Sequence, residues 1–65
     1  MNIHIHHTKS NVFKASCNNS IISLYVSNDI DKVIEEIRLN HCYDSYEIVQ
    51  HSVNGSIVKI IPPLS

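Results

Sequence analysis

The chain contains one glycine and two prolines, and both prolines lie at its C-terminal end. With so few breakers, everything up to Ile61 is free to form regular structure. No glycine-rich loop is available to cradle a phosphate. Tryptophan is absent, and the aromatic residues are one phenylalanine and three tyrosines. Five Lys and Arg against six Asp and Glu give no basic stripe. A site for single-stranded nucleic acid needs stacked aromatics on a basic face, so direct nucleic-acid binding is not expected. Two cysteines, Cys17 and Cys42, are too few for a disulfide scaffold and read as reduced thiols. No long apolar run is present, and Met1–His7 lacks the basic start and continuous apolar stretch of a signal peptide. The expectation is a soluble, cytoplasmic protein.

What is present is enough for one small domain, residues 1–65. A chain of this length buries only about 60% of its unfolded surface, so a disulfide, a metal or a partner chain commonly helps it fold. The net charge is −1, and five histidines would make it positive once they charge.

Residues 2–7 alternate, with Ile3 and Ile5 on one face and Asn2, His4 and His6 on the other, which predicts a half-buried strand. Residues 12–17 and 20–26 predict a hairpin turning at Asn18-Asn19. Closing it at Cys17/Ser20 sets Ala15 opposite Ile22 and Phe13 opposite Leu24, with Val26 on the same face and Lys14 against Ser23 on the other. Ser27 or Asn28 then offers a helix N-cap, with Asp29 and Asp31 in the first turn. Ile30, Val33, Ile34, Ile37 and His41 form one helical stripe, and Leu39 falls opposite it.

A second hairpin is centred on Asn54-Gly55, with Val53 and Ser56 flanking the turn. Val49, His51, Val53, Val58 and Ile60 form the face expected to pack on the helix. Tyr46, Ile48, Gln50, Ser52, Ile57, Lys59 and Ile61 form the other. Pro62-Pro63 ends the last strand. The fold class is therefore α+β: two layers, a single helix packed on a mostly antiparallel sheet, with elements in the order β-β-β-α-β-β. The expected core is Ile3, Ile5, Phe13, Ala15, Ile22, Leu24, Val26, Ile30, Val33, Ile34, Ile37, Val49, Val58 and Ile60.

No catalytic motif stands out. Cys42, His41 and Asp44 are the residue types of a thiol nucleophile site, but a helix C-terminus is the wrong place to activate a thiol. No catalytic, cofactor-binding or metal residue is assigned on these grounds. His4 and His6, two apart on a strand, project from one face and are spaced to act as a pair of metal ligands, with His41, His51 or a cysteine as a third. A metal- or pH-responsive module is the reading they support. The wet side of the helix carries Asp31, Glu35 and Glu36 around Leu39, an apolar anchor ringed by charge of the kind that suits a protein contact. Tyr46, Ile48, Ile57, Lys59 and Ile61 on the second hairpin face complete the candidate partner-binding set. That face is read either as a patch for another protein or as a homodimer interface.

The amphipathic helix ending in Cys42-Tyr43, the strand after it, Val53-Asn54-Gly55 and the last strand resemble a small anti-CRISPR inhibitor of the type I-F class, over Ile30 to Ile61. The resemblance implies a phage or mobile-element accessory protein that occupies part of a host defence nuclease or its nucleoprotein complex. Three strands followed by a helix opened by Val26-Ser27-Asn28-Asp29-Ile30-Asp31 also resemble HicB-type antitoxins, which implies neutralisation of a toxin. Both resemblances imply a non-enzymatic protein binder.

Overall fold

A computed structural model describes residues 2–17 and 20–64, without the side chains of residues 20–25. Strands β1 (Asn2–His7), β2 (Phe13–Cys17) and β3 (Ser20–Ser27) precede helix α1 (Ile30–Leu39). A one-turn 3-10 helix (His41–Tyr43) leads into β4 (Glu47–His51) and β5 (Ile57–Ile61). The order along the chain is not the order across the sheet, which runs β3-β2-β1-β4-β5. The sheet is mixed: β1 pairs with β4 in parallel, and its other ladders are antiparallel. The chain therefore leaves edge strand β3, crosses one face of the sheet as α1, and returns beside β1 at its centre.

Each element has a local cause. Ile3 and Ile5 alternate with histidines and are fully buried. Asp29 caps the helix by accepting the Asp31 amide at 3.0 Å, so it lies just outside the first turn in which it was expected. The helix ends at Leu39, where the Asn40 amide donates to the Ile37 carbonyl. His41 consequently leaves the helical stripe and is exposed. Val33 and Ile37 meet Ile3, Ile5, Ala15 and Ile48 in the core, and Phe13, Cys17, Ile30, Ile34, Tyr43, Tyr46 and Ile61 pack around them.

Two strand irregularities overturn parts of the expected pairing. The β2–β3 hairpin does pair Cys17 with Ser20 and Ala15 with Ile22. Its register then shifts between Lys14 and Ala15, so Lys14 faces Val26 and Phe13 faces Ser27. Val26 is thereby moved to the face away from the helix and is exposed, not core. The expected turn at Asn18-Asn19 and the burial of Ile22 and Leu24 lie outside the described residues.

The second hairpin pairs Ile48 with Ile61, Val49 with Ile60 and Gln50 with Lys59, as its sequence implies. Its turn is longer: the Ser52 amide donates to the Ser56 carbonyl at 2.8 Å and Gly55 takes φ +92°. A shift between Gln50 and His51 then sets His51 opposite Ile57. The facing of the hairpin is the reverse of the expectation. Ile48 is 0% exposed, because its parallel pairing with Ile3 places it under the helix. Val58 and Ile60, expected in the core, are exposed.

One side chain ties the layers together at the far end. Arg38 donates to the carbonyls of Tyr43 (3.0 Å), Tyr46 (3.2 Å) and Pro62 (3.0 Å). It thus joins the last helical turn, the link into β4 and the residue just past β5. The Leu64 amide donates to the Asp44 carbonyl at 2.9 Å, holding the C-terminal segment against the same link.

Candidate functional site

The helix covers one face of the sheet, and among the described residues no element packs on the other. Register fixes what that second face carries. One row crosses the strands as Val26, Lys14, His6, His51 and Ile57. The next runs through Ser16, His4, Val49 and Ile60. The alternation in β1 supplies His4 and His6, and the parallel pairing of β4 supplies His51. Val49 is 4% exposed although it lies on the uncovered face, so its neighbours close over it. Beside it, Ile57 and Ile60 on edge strand β5 are 60% and 51% exposed.

The three imidazoles lie together, with His51 in contact with the other two. His4 Nδ1 lies 2.9 Å from His51 Nε2. The His6 and His51 rings stack, with centroids 4.8 Å apart and planes 9° from parallel. His4 sits 5.1 Å from the His51 ring and 6.2 Å from that of His6. On its other side, His51 Nδ1 lies 3.2 Å from the Gly55 carbonyl. A carbonyl only accepts, so Nδ1 carries the proton, and Nε2 is left as an acceptor for the His4 Nδ1–H. The pKa of His6 is lowered, first by its partial burial and then by the neighbouring His51 and His4. The charged groups nearest the cluster in register are Lys14, opposite His6, and Glu47, opposite Asn2. With the rings stacked as they are, no set of three His, Cys, Asp or Glu among the described residues surrounds a point that would hold a metal ion.

No protein-family model, curated protein or solved structure matches the chain. The site is therefore read from its own geometry.

The structure divides the expected partner-binding set. Asp31, Glu35, Glu36 and Leu39 are all exposed on the helix, and Leu39 is 70% exposed. Glu36 and Leu39 border a shallow groove completed by Asn40, His41 and Cys42. On the hairpin, Ile57 and Lys59 are exposed. Ile48 is a core residue, and Tyr46 and Ile61 pack against that core, so these three do not form a free patch. The correction has one cause: the hairpin face bearing Ile48 is the face that the helix covers. Tyr46 instead meets Tyr43 edge-on, with ring centroids 5.3 Å apart.

His7, outside the cluster, stacks on Phe13 at 4.3 Å on the helix side of β1. His41 Nδ1 lies 3.3 Å from Asp44 Oδ2, and both cysteines are free, Cys42 being exposed. Among the described residues no hydrogen bond joins the Cys42 thiol to His41. Sequence reasoning found His4 and His6 as a pair and named His51 as one of several third members. What it lacked was the parallel β1–β4 register, which no local pattern encodes.

Proposed function

We propose that the chain is a non-enzymatic protein-binding module, an inhibitor or adaptor, and that it meets its partner with the sheet face the helix leaves uncovered. The observation that carries this reading is the pair Ile57 and Ile60, 60% and 51% exposed beside the histidine cluster on an edge strand. Exposed apolar residues contiguous on one face are a common mark of a contact surface. A free sheet edge adds unpaired backbone groups that a partner strand can satisfy. The wet side of α1, with Leu39 among Asp31, Glu35 and Glu36, is the second surface of the same kind.

The resemblance of Ile30–Ile61 to a type I-F anti-CRISPR inhibitor makes a defence nuclease or its nucleoprotein complex the first partner class to test. A toxin, as for HicB-type antitoxins, is the second, and a further copy of this chain the third. The test adds purified protein to type I-F nuclease complexes and to toxins of the HicB-partnered kind and measures residual target binding and activity. Inhibition that saturates near one chain per complex is expected with one of the two. Full activity of both, together with a monomer at all concentrations, contradicts the inhibitor reading.

A further inference from the structure

We propose that the uncovered sheet face pairs with the same face of a second copy of this chain, about a two-fold axis that sets Lys14 of each copy against Glu47 of the other. The proposal rests on the reading of that face as a contact surface and adds its regulation: with no other partner present, the chain covers its own binding face.

Among the described residues, the strands place two formal charges on that face, and they are of opposite sign. Lys14 on β2 lies in the row of His6 and His51, and Glu47 on β4 lies in the row of Asn2, on the other side of His4 and Val49. Strands about 4.8 Å apart, with residues about 3.3 Å apart along them, put the two positions roughly 16 Å from each other, too far to pair within one chain. Neither has an ion-pair partner among the described residues, and Lys14 is exposed. The midpoint of the diagonal between them falls at His4 on the central strand β1.

Opposite charges placed symmetrically about one point are self-complementary. A two-fold axis lying in the plane of contact, over His4 and perpendicular to the diagonal, exchanges the two positions. Both ion pairs then form at once, as an isologous interface requires. The strands of the two sheets cross at roughly 70°, in the orthogonal class of sheet packing. The same axis runs from His4 toward Ile57, which lies opposite His51 on β5. It therefore sets Ile57, 60% exposed in one chain, against its counterpart. The polar centre of the face tolerates being covered, because the Nδ1–H groups of His4 and His51 already have acceptors.

Size supplies the second reason. A 65-residue chain buries a small share of its surface, and its single helix leaves one sheet face bare. A second copy covers that face and stabilises the fold by mass action. A second copy and a foreign partner cannot hold the face together, so a partner binds by displacing the copy.

The test is sedimentation equilibrium of the chain alone, at low and high salt, with circular dichroism confirming the fold of each variant. Wild type is expected to show a reversible monomer–dimer equilibrium that weakens with added salt. Lys14→Glu and Glu47→Lys each weaken it by about tenfold or more, because each sets like charges opposite one another twice. An equimolar mixture of the two variants, and the double variant Lys14→Glu/Glu47→Lys, regain wild-type association, since every opposed pair is again of opposite sign. Should one single variant lose its fold, the salt dependence and the double variant decide. A monomer up to about 1 mM, a dimer unweakened by the single substitutions, or a mixture no better associated than its components overturns the proposal. Ile57 and Ile60 are untouched in these variants. Inhibition of a nuclease or toxin by a chain that stays monomeric therefore strikes only the dimer, and a dimer that inhibits neither strikes only the inhibitor reading.

Discussion

Replacing Arg38 with methionine keeps most of the aliphatic stem and removes the guanidinium. The three carbonyls it serves belong to Tyr43, Tyr46 and Pro62, so one side chain joins the last helical turn to the link into β4 and to the residue just past β5. A hydrogen bond from a charged donor contributes about 1.5–3 kcal/mol when shielded from water. Two of these bonds are partly buried and the third is exposed. Taking the low end for the first two and little for the third gives a loss of roughly 3 kcal/mol. Chains of this size have only about 3–10 kcal/mol of total stability, so the variant should sit near its folding limit. At about 4–8 °C per kcal/mol for a small domain, Tm should fall by roughly 12–24 °C. Arg38→Lys should recover little, because an ammonium cannot span carbonyls in a planar fork. Thermal and urea unfolding followed by circular dichroism measure this directly. A change below about 0.5 kcal/mol, the size of an ordinary surface substitution, would refute the clamp.

Two further outcomes follow from the same structure. Ile48→Ala should cost about 2–4 kcal/mol as a core truncation, whereas Ile60→Ala, on a half-exposed residue, should cost less than about 1 kcal/mol. The opposite ranking in urea unfolding would mean that the hairpin is turned the other way up. Acidification should destabilise the fold through His6. Its folded pKa is lowered by burial and by His51 and His4, so the unfolded chain binds more protons. The contribution is therefore complete above the ordinary histidine range and is lost as pH falls through the lowered folded value. Urea midpoints at about pH 7.5 and pH 5.5, on either side of the ordinary histidine value, should drop further for wild type than for His6→Gln; equal drops would show that His6 does not resist protonation.

Much of the fold is legible because its signals are local. The alternation around Ile3 and Ile5, the stripe through Val33 and Ile37, and the pairing of each hairpin on one side of its register shift are each written within a short stretch. The illegible parts depend on distant partners. Whether Ile48 or Val49 faces the helix is set by the parallel ladder with β1, and the hairpin alone is consistent with either choice. The exposure of Val26 comes from a register shift that leaves no pattern in the composition of β3. Arg38 looks like a basic residue matched to a helix C-terminus, and its most remote acceptor lies in the Pro62 carbonyl. The candidate site divides the same way. His4 and His6 are a visible pair, and the third histidine becomes definite only when β4 lies beside β1. The charged helix surface around Leu39 was readable in full, since exposure on an isolated helix follows from periodicity.

The uncovered sheet face, proposed as the binding face, can be set directly against the helix surface. Immobilised wild-type protein, an Ile57→Asp/Ile60→Asp variant and a Leu39→Asp variant, each checked for fold, should be compared for quantitative retention of defence nuclease complexes and toxins. A component saturably retained by wild type should be kept by Leu39→Asp and lost by Ile57→Asp/Ile60→Asp. Retention by the β5 variant with loss in Leu39→Asp would contradict it and place the contact on the helix.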